Sequence, residues 1–139
     1  MPVLALDVGE RRIGVAVSDP GESYALPLGT IERSSLRQDI AAITELAQGH
    51  GAETIVVGDP LRMSGERGPA AEKIDRFCQA LERNFGGTIA RVDERLTTAQ
   101  VTKTLIAADL SRRKRKTVVD KLAAAAILDT YLARRRASR

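Results

Sequence analysis

The chain has 139 residues, 43% of them hydrophobic and 29% charged, with a net charge of +4 and a pI near 9.6. That is enough apolar material for one domain, residues 1–139, with a core of its own, and too much for a disordered chain. No apolar run approaches the roughly eighteen residues of a membrane span, no basic-then-apolar leader opens the chain, and the single cysteine, Cys78, excludes an internal disulfide, so a cytoplasmic protein is expected.

The opening stretch "VLALDVGERRIGVAVSD" reads as a hairpin. Residues 3–8 make an apolar strand carrying a carboxylate, Asp7, near its end, and residues 12–18 return after a short turn around Gly9. A third extended piece, about Tyr24 to Ile31, contains Pro27 and so suits a sheet edge. Leu36, Ile40, Ile43 and Ala47 then recur at helical spacing behind a capping box made by Ser35 and Gln38. "ETIVVGDP" is a β-branched strand ended by Gly58 and Pro60. Pro69 opens a second helix with Ile74, Phe77, Leu81 and Phe85 on its apolar face, and Gly86-Gly87 stops it.

"TIARVDE" is a fifth strand. Thr97 with Gln100 is expected to cap a third helix bearing Val101 and Leu105, and after the basic stretch "SRRKRK" Thr117 is expected to start a last helix reaching about Arg135. This order implies an α/β fold: a five-stranded mixed sheet flanked by helices on both faces, as in ribonuclease-H-like proteins. Cys78 is expected to be a buried apolar residue, and His50 a helix-end or surface residue. Ten Lys or Arg against two acids from Ser111 to Arg139 suggest a polyanionic partner.

Four acidic positions stand out. Asp7 reads either as a turn cap or as a functional carboxylate at the mouth of the sheet. Asp93 and Glu94 end the fifth strand, and alternation lets only one of them point with Asp7. Asp120 falls three residues after Thr117, a capping position, yet Leu122 and the alanines 123–126 would let its helix lie close on the sheet and hold it near the strand ends. Asp59 ends the fourth strand, which lies beside the first in a ribonuclease-H-like sheet. Carboxylates from separate elements suit Mg²⁺ or Mn²⁺. In a basic protein they suggest phosphodiester hydrolysis, with metal ions activating water and stabilising the departing oxygen.

The stretches "LALDVGERRIGVAVSD", "IVVGDPLRMSGERGPAAEKIDRFCQAL", "ARVDERLTTAQV" and "RKRKTVVDKLAAAAILDTYL" resemble, in order and over nearly the whole chain, the YqgF/RuvX family of pre-16S ribosomal RNA nucleases, which is Holliday-junction-resolvase-like. The resemblance implies a ribonuclease-H-like fold and a metal-dependent nuclease that processes the 5′ end of the small-subunit rRNA precursor. Asp7, Glu94 and Asp120 match its acidic positions and are expected to be catalytic and to hold the metal, with Asp59 a further candidate ligand. Where family members commonly carry Asn and Asp, this chain has Arg62 and Ser64, and Asp59 stands where an apolar or other residue is usual.

Arg11, Arg12, Arg62, Arg67 and Arg95 are expected at the rim of the site, and Arg112, Arg113, Lys114, Arg115 and Lys116 on flanking phosphates. With no tryptophan, two tyrosines and two phenylalanines, base stacking is not expected to select the substrate. The alternatives are a resolvase of branched DNA and a non-catalytic RNA-binding module on the same fold. A resolvase should be a symmetric dimer, whereas a processing nuclease works as a monomer or homodimer.

Overall fold

The computed structural model describes residues 1–60, 66–94 and 112–138, with side chains from residue 120 onward in the last stretch. Its strands are β1 (Val3–Val8), β2 (Arg12–Ser18), β3 (Ala25–Glu32), β4 (Thr54–Asp59) and β5 (Thr88–Asp93), and its helices α1 (Leu36–Gly49), α2 (Pro69–Asn84) and α3 (Arg112–Ala137). The sheet order is β3-β2-β1-β4-β5. β1, β2 and β3 pair antiparallel, whereas β1 with β4 and β4 with β5 are parallel. The expected mixed sheet is present, and Pro27 lies on edge strand β3, where its missing N–H disturbs no inner ladder.

Strand alternation divides the core. Leu4, Leu6, Ile13, Val15, Ile55 and Val57 pack against Ile40, Ile43, Ile74, Phe77 and Leu81 of α1 and α2. Val3, Ala5, Ala16, Val56 and Val92 face Ala123, Ala124, Ile127, Leu128 and Leu132 of α3. Each large aliphatic side chain buried this way contributes about 1.5–3 kcal/mol before entropy is counted. Both faces of β1 are therefore covered, which explains its unbroken apolar run.

The helix ends follow local chemistry. Ser35 accepts the Gln38 N–H at 3.1 Å, as its capping box requires. At the far end of α1, His50 is the cap residue and exposed, and Gly51 takes the left-handed conformation, φ +68°, that ends many helices. Cys78 is fully buried, and burial pushes its thiol pKa up.

One expected boundary is corrected. The basic stretch does not precede the last helix; it forms the first turns of α3, which runs unbroken for 26 residues. Arg and Lys are good helix formers, and no Gly or Pro lies between residues 112 and 137. Thr117 is thus interior to α3, and a first-turn capping role for Asp120 falls away. The helix expected around Thr97, Val101 and Leu105 lies outside the described residues.

Candidate active site

The parallel strands β1, β4 and β5 all end at one edge of the sheet. Asp7, two residues past Ala5, points to the α3 face by alternation and is only 4% exposed. Its partner on β2 is Gly14, and the β1–β4 register, continued one residue past Leu6↔Val57, sets it beside Gly58. A glycine therefore flanks Asp7 on each side, about 4.8 Å away across the sheet.

Both glycines are covered by an acid. A Cβ on Gly14 would lie 2.0 Å from the backbone oxygen of Asp120 and 3.2 Å from its Cα, so α3 crosses β2 in direct backbone contact. A Cβ on Gly58 would lie 2.7 Å from Oε1 of Glu94 and 2.6 Å from Cδ1 of Ile127. Glu94 thus reaches back over β4 on the α3 face. Asp93, paired with Asp59, belongs to the opposite face, so parity decides between the two neighbours in favour of Glu94. Asp7, Glu94 and Asp120 come to one face and one end of the sheet.

Glycines 14 and 58 were not singled out as site residues from sequence, though a signal existed: glycine inside an apolar strand often marks the close approach of another backbone or group.

Asp59 does not join this set. Ile55, Val57 and Asp59 share the α2 face, and the Asp59 carboxylate is gripped by Arg67 through bonds of 2.9 and 3.2 Å. Arg67 also binds Asp75, which Arg91 holds in turn. Arg91 and Arg67 together keep the Asp75 pKa below its ordinary value. Asp59, the candidate extra ligand on β4, therefore lies on the other face of the sheet from Asp7 and anchors Arg67. Arg67, expected at the rim to bind nucleic acid, is engaged by these two acids.

The other expected cations divide. Arg12 is paired with Glu32 at 2.8 Å and Arg11 is exposed. Arg33, which sequence reading passed over, donates to the Gly9 carbonyl at 3.0 Å and to buried Asp39 at 3.1 Å, fastening the β1–β2 turn to α1. No local pattern announces that long-range pair. Arg62 and Arg95 lie outside the described residues. Arg112, Arg113, Lys114, Arg115 and Lys116 occupy the first turns of α3, and Arg112, Arg113 and Lys116 precede Asp120 at helical spacing.

The donor set suits a hard cation: three carboxylates, from β1, the end of β5 and α3, with glycine beneath two of them. Among the described residues no three His, Cys, Asp or Glu side chains already close around one point. Each of the three acids has a polar or electrostatic partner of its own. The backbone thus assembles the donors on one side without closing a ligand ring.

Comparison with known proteins agrees with this architecture. A family model described as "RuvX: Holliday junction resolvase" matches residues 1–134. A protein of Desulforudis audaxviator named "Putative pre-16S rRNA nuclease" is 45% identical over 139 residues, covering 100% of this chain and 99% of that protein. One of the same name from Moorella thermoacetica is 46% identical over 134 residues, 96% of each chain. Among solved structures, Thermus thermophilus RuvC in complex with a Holliday junction substrate superposes with a TM-score of 0.61 at 14% identity, over 98% of this chain and 96% of that one. The fowlpox virus resolvase bound to Holliday junction DNA gives 0.57 at 11% identity, over 96% and 97%. These two distant likenesses establish the ribonuclease-H-like fold. The matched family model and the full-length relatives together establish that the chain belongs to the RuvX family.

Proposed function

We propose that this protein is a divalent-metal-dependent nuclease that hydrolyses phosphodiester bonds and processes the 5′ end of the pre-16S rRNA. The observation that carries the reading is the placement of Asp7 between two glycines, one overlain by Asp120 and the other by Glu94. The naming of its full-length relatives supplies the substrate class.

Asp7, fixed in an inner strand, would be the rigid ligand, and Glu94 and Asp120 would close on the ion from either side. Bound there, Mg²⁺ or Mn²⁺ would supply acidified water and charge neutralisation at the leaving oxygen. Exposed Arg11, one turn from Asp7, is positioned to draw in substrate phosphates. The nearly complete burial of Asp7 fixes its carboxylate against the sheet, which suits a permanent ligand better than a solvated surface charge.

The test is cleavage of a structured rRNA precursor fragment, and of a four-way DNA junction, by the wild type and Asp7→Asn with Mg²⁺ and Mn²⁺ varied. RNA cleavage lost in a folded Asp7→Asn protein is the expected result; full activity in that variant overturns the reading. Junction cleavage in preference to RNA would favour the resolvase activity that the family description names. Salt-sensitive RNA binding with no cleavage under any divalent ion would make the protein a binding module.

A further inference from the structure

A second basic feature lies at the other end of α3. Arg91 of β5 and Tyr131, Arg134, Arg135 and Ser138 line a shallow notch of about 450 Å³. Its walls are pre-oriented. The Arg91 guanidinium is committed to Asp75 on the α2 face, so Arg91 forms part of the wall without offering its charge. Arg135 is held by Glu22 at 2.8 Å and lies over the Tyr131 ring, 5.8 Å from its centre. Arg134 is exposed and makes no ion pair among the described residues, so the uncompensated charge of the notch sits on its guanidinium. Arg135, held in place beside the uncommitted Arg134 and next to the Tyr131 hydroxyl, matches the needs of a phosphodiester oxygen.

Fourteen residues of helix separate Asp120 from Arg134, about 21 Å along the axis. A group that far away cannot take part in bond cleavage, but it can hold a flanking part of a long nucleic acid. We propose that this notch is a second nucleic-acid contact, in which Arg134, beside Arg135, binds a backbone phosphate remote from the acids and sets affinity without affecting chemistry. The proposal rests on the reading of the protein as a nucleic-acid enzyme, though not on cleavage itself.

The experiment compares the wild type, Arg134→Ala, Arg134→Lys and Arg76→Ala, the last removing an exposed α2 charge that does not line the notch. Binding of a structured RNA precursor fragment is measured across a salt series, with KM and kcat for its cleavage. Arg134→Ala should weaken binding about five- to tenfold and lower the slope of log K against log salt by about 0.7–0.9, the signature of one lost phosphate contact. kcat should stay unchanged, Arg134→Lys should restore most of the salt slope, and thermal melting should not move. If Arg134→Ala behaves like Arg76→Ala, or if kcat falls while affinity holds, the proposal is overturned. A wild type that binds with this Arg134 dependence yet cuts nothing would sustain the notch and refute the nuclease reading, so the two failures are distinct.

Discussion

The two faces of the sheet, at the edge where β1, β4 and β5 end, use acids in opposite ways. On the α2 face, Asp59 and Asp75 are matched by Arg67 and Arg91 in a chain of ion pairs. On the α3 face, Asp7, Glu94 and Asp120 come from three elements, and two glycines let them approach. The first arrangement neutralises charge within the fold and fastens the chain after β4 to α2. The second brings three carboxylates, each with partners of its own, from separate elements to one side of the sheet, a donor set suited to a divalent cation. An acidic residue at a strand end therefore says little until its face is known.

Breaking the comparison on its active side should have the largest effect. Asp7→Asn keeps shape and removes charge, and it should lower cleavage by about 10²-fold or more in a protein that circular dichroism shows to be folded. Asp59→Asn, assayed in parallel, should leave cleavage by the folded protein unchanged. Equal losses in both variants would erase the distinction between the faces.

The glycines sharpen it next. Gly14→Ala drives a Cβ into the Asp120 backbone, which cannot swing aside, so α3 must shift at a cost of about 1–3 kcal/mol. Denaturant melts should show that loss together with reduced activity. Gly58→Ala meets side chains, those of Ile127 and Glu94, and no backbone among its nearest atoms. It should cost less stability and act chiefly by displacing Glu94, read as a change in the divalent-ion concentration needed for half-maximal cleavage.

The opposite face should answer in stability. Asp59→Asn weakens a largely buried bidentate pair and should cost about 1–3 kcal/mol in a denaturant melt. The smallest effect is expected from Asp75. Arg91 and Arg67 lower its pKa in the folded state, so its contribution to stability is complete above the ordinary aspartate range and lost as pH falls through the depressed native value. Acid unfolding of Asp75→Asn should lack that component, which a pH series of melts would reveal.

Much of this was legible in the chain before any coordinates. The β1–β2 hairpin, the edge position of Pro27 and the starts of α1 and α2 follow from alternation, capping and proline chemistry, which act over a few residues. The acids Asp7, Glu94 and Asp120 could be nominated, but Asp93 and Glu94 could not be separated without knowing which way β5 faces. Asp59 illustrates the limit. Its strand was readable, its partner Arg67 eight residues later was not, because no local pattern of spacing or capping marks that pair. The onset of α3 was misplaced because a run of like charges looks like solvated coil although its residues favour helix. The notch at Arg134 joins β5 to α3 and is invisible in either segment alone.

The central claim is tested most directly by manganese anomalous scattering from crystals of the wild type and of Asp7→Asn. The account predicts a peak in the wild type about 2.0–2.5 Å from oxygens of Asp7 and of Glu94 or Asp120, and none at that position in the variant. A wild-type peak among Asp59, Asp75 and the α2 face, or manganese that leaves Asp7 untouched, would contradict it.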